Sequence, residues 1–170
     1  MKRTRNIRLK KREHMEDTEQ KKIYPVDTII DWFLASNRLL IEDEGAEQMT
    51  PPRLMSLLYY AQAASMAVRG VPMYDEPVMA WKFGPVVEKV YDKYKKYGSG
   101  SIPYDKAPEP DAIAPDDRSL LEEMYINFGI YSAWGLRTLI RTETAWKDTP
   151  AGEEVPREMM REYFTRNYLS

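Results

Sequence analysis

The chain contains no cysteine and only one histidine, His14. The first absence excludes disulfides, thiolate nucleophiles and Cys-ligated metals, and it fits a reducing, cytoplasmic setting. The second leaves a Ser-His-Asp triad or a zinc centre dependent on a residue in a charged leader. No apolar run approaches the roughly 20 residues that cross a bilayer, so no membrane segment is expected. No apolar stretch follows the basic first residues, as it would in a secretory signal. Glycine-rich phosphate loops and the HExxH pattern are missing. Gly98-Ser99-Gly100 lies in a loop without the flanking strand and helix that phosphate binding uses. Carboxylates are plentiful, among them Asp75, Glu76, Asp92, Asp116, Asp117, Glu122 and Glu123, but no spacing singles out a pair. An acid- and metal-based hydrolase is therefore the weakest alternative. The expectation is no enzyme: no catalytic residue, no metal ligand and no cofactor.

What is present suits one folded domain. Hydrophobic residues make up 43% of 170 residues and aromatics 12%, enough for a core. Charge is unevenly spread. Residues 1–22 hold nine basic and four acidic side chains, net +5, whereas residues 23–170 hold sixteen and twenty-three, net −7. The leader is too polar to offset its ordering entropy and reads as a disordered basic extension. Its functional alternative is an arm that touches nucleic acid or an acidic partner. The acidic body is a poor nucleic-acid platform.

Periodicity predicts a mainly α fold of about six helices. The first spans about Asp27 to Ile41, with Ile29, Ile30, Phe33, Leu34 and Leu40 at helical spacing, and an acidic linker follows over Glu42 to Gln48. The second has Thr50 as N-cap, Pro51 at its first position and Gly70 past its end. It is apolar over so much of its girth that it reads as central. A short strand over Val78–Trp81 leads to Phe83-Gly84-Pro85, read as a break that opens a third helix from Pro85 to Tyr97. Ser99 to Asp117 reads as a loop, with a strand at Ser101–Tyr104 that could pair with Trp81 in a small β-ribbon. Further helices are expected at Ser119–Phe128, at Ala133–Arg141 and from Pro156 onward, with a loop holding Trp146 between the last two.

Four of these stretches together resemble one family. They are LMSLLYYAQ at Leu54–Gln62, the run from Glu76 to Gly98 containing AWKFGPVV, TAWK at Thr144–Lys147, and Tyr163-Phe164 in the last helix. The pattern is similar to the Panacea domain, the SocA-like antitoxins that also include phage-associated GepA-type proteins. It covers about Tyr24 to Phe164. The resemblance implies an antitoxin of a type II-like pair that binds and neutralises a protein toxin from an adjacent gene. Two alternatives stay open: an adaptor that delivers a partner to a protease, and a nucleic-acid-associated regulator using residues 1–22. Relatives often carry a histidine before the late tryptophan, in a pattern like THxExxWK. Arg141 stands there, so chemistry by that histidine is not available to this chain.

The signature residues Tyr59, Tyr60, Gln62, Trp81, Lys82, Phe83, Gly84 and Pro85 read as scaffold, with Trp81 buried, because they offer no nucleophile and no ligand set. Toxin contact is expected from what they position: Tyr91, Tyr94 and Tyr97 on the third helix, Tyr104 in the long loop, and Trp146.

Overall fold

Helix α2, Pro51–Arg69, is the axis of the molecule. Thr50 accepts a hydrogen bond from the Arg53 amide at 3.4 Å, two prolines fill the first positions, and Gly70 ends the helix at φ 74°. Those are the start and stop signals the sequence carries. Fifteen of the nineteen residues are buried. Helices α1 (Val26–Glu44), α3 (Glu88–Tyr94), α4 (Pro115–Phe128), α5 (Ala133–Thr142) and α7 (Arg157–Tyr168) all pack on it. A short α6, Thr144–Lys147, bridges α5 and α7. This computed structural model describes residues 7–10, 21–44, 47–106, 109 and 111–170, with the backbone alone over 40–44.

A helix enclosed on every side must satisfy its own polar side chains inside the protein. Arg53 is 2% exposed. Its guanidinium donates to the carbonyls of Gly129 (2.5 Å), Tyr131 (3.3 Å) and Glu47 (3.3 Å). Gly129 directly follows α4, so the cation also meets the negative end of that helix dipole. Gln62 accepts from the Met73 and Tyr74 amides and donates to the Tyr74 carbonyl at 2.8 Å, which stitches the turn after α2 back onto it. Arg69 pairs with Asp117 at 3.1 Å and lies over the Tyr24 ring, and the Tyr24 hydroxyl donates to Asp117 at 2.6 Å. That cluster ties the end of α2 to the first turn of α4 and to the approach to α1.

The fourth internal pairing centres on a buried carboxyl group, that of Glu143. Tyr60 and Tyr168 both donate to one oxygen of Glu143, at 2.5 and 2.6 Å. The Tyr60 ring stacks on Phe128 at 3.9 Å, and Phe164 closes against Tyr168 at 5.1 Å. Burial pushes the Glu143 carboxyl up to about 7 against the two hydrogen bonds that favour its charge. Both phenols are raised in turn, by burial first and by the Glu143 charge next.

Several sequence expectations need correction. Gly84-Pro85 does not open a helix. Gly84–Val86 is strand β2, antiparallel to β1 (Met79–Trp81), with Met79 opposite Val86 and Trp81 opposite Gly84. Lys82 and Phe83 make the turn, so the third helix begins only at Glu88 and ends in a 3₁₀ turn over Lys95–Tyr97. Ser101–Tyr104 is not a strand; Ile102 donates to the Met49 carbonyl at 2.8 Å instead. What lies beside β1 is the 152–155 segment, through Ala80 N–H to Glu153 (2.8 Å), Gly152 N–H to Ala80 (2.7 Å) and Val155 N–H to Val78 (2.8 Å). The region around Trp146 is helical, α1 runs through the expected linker as far as Glu44, and α4 starts four residues early at Pro115. Within the basic leader, Leu9 is fully buried and pairs with Leu169, so residues 7–10 belong to the body. Residues 1–6 and 11–20 lie outside the described residues.

Glu143 makes stability depend on pH. Its folded-state value lies above the ordinary 4.5, so the folded chain holds this proton more tightly than the unfolded chain. Its contribution is full below about pH 4.5 and is lost as pH rises toward 7. Glu143→Gln, which is neutral throughout, should gain on the wild type by about 3 kcal/mol between pH 4.5 and 8. Urea unfolding at pH 5, 6, 7 and 8 checks this, and parallel curves for the two proteins would refute it.

Candidate functional site

The β1–β2 hairpin packs against the start of α2 and against α5. Between them lies a groove of about 270 Å³. Pro51, Pro52, Met55 and Ser56 of α2 form its floor. Trp81, Phe83, Gly84, Pro85 and Val86 of the hairpin form one wall, and Tyr91, Lys95 and Gly98 form another. Arg137 of α5 closes it. The volume lies just below the roughly 300–1,000 Å³ typical of small-molecule pockets. It suits a side chain or two from another protein better than a cofactor. Among the described residues, no group of three or more His, Cys, Asp or Glu is placed to hold a metal ion.

The signature residues divide into two sets. Tyr59, Tyr60 and Gln62 are buried in the core, as scaffold residues should be. Trp81 is only half-buried, which corrects its expected burial; its indole meets the Tyr91 ring edge-on at 4.9 Å. Phe83 is 63% exposed, and the Lys82 ammonium sits over its ring at 5.4 Å. A turn-tip phenylalanine held out to solvent contributes almost nothing to the core, and exposed aromatics flanking a groove mark interaction surfaces.

Strand β2 has no neighbour on its groove side among the described residues. Ala80 points its N–H and C=O at the 152–155 segment. Strand alternation therefore turns Met79 and Trp81 toward β2, opposite Val86 and Gly84. Pro85 is the position that faces away from β1, and it has no N–H to offer. A bare strand edge invites pairing with another chain, and a proline there prevents it. Strand addition at this edge is thus blocked at Pro85.

Gly84 is tied to Arg137. Its φ is +151°, a conformation that side-chain-bearing residues avoid, and a Cβ there would stand 3.2 Å from the Arg137 Cγ. The missing side chain lets the arginine stem lie across the hairpin. Arg137 was not visible as a site residue from the sequence. The available signal was its helix: Leu136 and Ile140 point into the core, and at about 100° per residue Trp134 falls on the opposite side. Trp134 is 75% exposed, one turn before Arg137.

The residues expected to meet a partner are not gathered in one place. Tyr91 lines the groove. Tyr94 is buried, with Lys93 over its ring, and so is withdrawn from the surface. Tyr97 and Tyr104 are half-buried outside the groove. Trp146 is half-buried beneath Arg141, whose guanidinium stands 5.9 Å above its ring, so Arg141 serves there as packing.

Gly84→Ala should lower stability by about 1–3 kcal/mol from backbone strain and the Arg137 contact. In an Arg137→Ala background the same change should cost less, since only the strain remains. A double-mutant cycle by urea unfolding measures the difference; strict additivity would show that the two residues do not touch.

The profile of the family described as "Antitoxin SocA-like, Panacea domain" matches residues 54–147, from the first core leucine of α2 to the end of α6. No curated protein and no solved structure matches. The matched span holds most of the central helix, the hairpin, the groove lining apart from Pro51 and Pro52, and Glu143, and it exceeds half the chain. The chain belongs to the SocA-like antitoxin family, as a Panacea domain.

Proposed function

We propose that this protein is an antitoxin that neutralises a cognate protein toxin by direct binding, and that the hairpin groove is where the toxin docks. The observation that carries the reading is Phe83. It sits inside the family-matched span, at the tip of the hairpin and at the mouth of an aromatic groove, with most of its surface in water. No folding role accounts for it there. Interface cores favour Trp, Tyr, Phe, Met and Arg. The groove supplies Trp81, Phe83, Tyr91, Met55 and Arg137, with Trp134 one turn away.

Masking a toxin calls for a preformed, rigid surface, and this one rests on the enclosed helix α2. The groove lining holds no carboxylate, histidine or cysteine, which supports the reading of a binding protein over an enzyme. Delivery of the partner to a protease would use the same surface and differs only in whether the partner's abundance falls. No helix among the described residues is long and apolar enough to cross a membrane.

Co-expression with the product of the neighbouring gene should give a complex that co-purifies, and it should restore growth where that product alone arrests it. Phe83→Asp and Trp134→Asp, both at exposed sites, should leave stability within about 0.5 kcal/mol. At least one should weaken the complex by about 2 kcal/mol or more, roughly thirtyfold. Full rescue and unchanged affinity in both variants would place the toxin elsewhere on the surface.

A further inference from the structure

Thirteen residues line the groove, and none is acidic, although residues 23–170 carry a net charge of −7. Two are cationic, Lys95 and Arg137. Lys95 has a partner, Asp92 at 3.4 Å on its own helical segment. Arg137 makes no hydrogen bond or ion pair with any described residue, even though it is half-buried and its stem is pinned over Gly84. The guanidinium thus lines the groove with no counter-charge from the described residues, and its donors are open to a ligand. Its fork of donors matches a carboxylate, which it can hold through two parallel hydrogen bonds.

We infer that the groove recognises an exposed polypeptide segment carrying an Asp or Glu carboxylate beside an apolar or aromatic side chain. Arg137 takes the carboxylate, Lys95 supports it, and the apolar neighbour seats against Trp81 and Phe83. This rests on the groove being the docking site proposed above. It adds the chemistry of what docks. Three features of the site agree. The volume, about 270 Å³, fits side chains rather than a folded domain or a cofactor. Pro85 blocks recognition through backbone pairing, so selectivity must come from side chains. The body is acidic on balance whereas the groove lining is basic, a contrast that sets the register of docking more than it adds affinity.

A random dodecapeptide library displayed on phage, selected against the full chain, tests this even while the toxin is unidentified. The expected result is enrichment of Asp or Glu within a few positions of an aromatic or large aliphatic residue, in peptides that Phe83→Ala no longer retains. For the strongest such peptide, Arg137→Gln should weaken binding at least tenfold, and Arg137→Lys less. Replacing the peptide's acid by its amide should cost a similar factor in the wild type and almost nothing in Arg137→Gln. Affinity should fall as salt rises from 50 to 500 mM. Thermal melts of the Arg137 variants confirm that they are folded. Peptides that need Phe83 yet show no acidic enrichment and no loss on Arg137→Gln would overturn the carboxylate assignment and leave the groove as docking site. A selection whose binders are all indifferent to Phe83→Ala would overturn both.

Discussion

Enclosing α2 is the constraint on which the rest of the structure depends. A helix packed by five others has no solvent-facing stripe, so each polar side chain along it needs a partner from another part of the chain. Those partners define the tertiary structure. Arg53 reaches the carbonyls after α4, Gln62 holds the turn that leads to the hairpin, Arg69 pairs with the first turn of α4, and Tyr60 meets Glu143 at the junction of α5 and α6. Each is a long-range bond that only one arrangement of the surrounding helices can make. Leaving any of them unmade would cost the full desolvation of a buried polar or charged group, on the order of 1–3 kcal/mol or more. Packing density supplies most of the stability, and these polar ties select one packing over its competitors.

That rigid interior makes the exposed hairpin usable. Gln62 anchors the segment from Met73 onward, the 152–155 strand-like segment closes one edge of β1, and β2 closes the other. The hairpin is only three residues a side, too short to be stable by itself. Held from both sides, it presents Phe83 and Trp81 at a fixed angle over Pro51, Pro52 and Met55. A preorganised aromatic surface loses little entropy on binding, which is where much of the cost of association otherwise falls.

The family pattern therefore mixes two kinds of residue under one signature. LLYYAQ is interior: Tyr59, Tyr60 and Gln62 are each almost completely buried. AWKFGP is mixed: Ala80, Gly84 and Pro85 are buried, Trp81 is half-buried, and Lys82 and Phe83 are exposed at the turn. Gly84 makes room for the arginine, and Pro85 blanks the strand edge. Under the docking proposed for the groove, exposed Phe83 would serve binding as well as scaffold, because a motif with no nucleophile can still carry function when the function is binding.

Much of the architecture was legible from residue order alone. Thr50, Pro51 and Gly70 mark the ends of α2, and its apolar girth marks it as central, because capping and burial are local demands on residue type. The apolar faces of α4 and α7 follow from 3.6-residue periodicity in the same way. Gly84-Pro85 was the point of ambiguity: both residues suit a helix start and a turn-to-strand step equally well. The choice was made by β1, whose register puts Trp81 opposite Gly84. Burial of Trp81 was not decidable locally either, since a tryptophan after an alternating run fits a core or a groove wall. Arg137, Glu143 and Arg53 owe their roles to partners 53, 83 and 76 residues away in sequence. Sequence by itself determined most of the helices, the central one among them, and the family, since those depend on near neighbours and on matched motifs. Tertiary structure alone decided which aromatics stay in water and which charges find partners, because both depend on what the chain brings together from far apart.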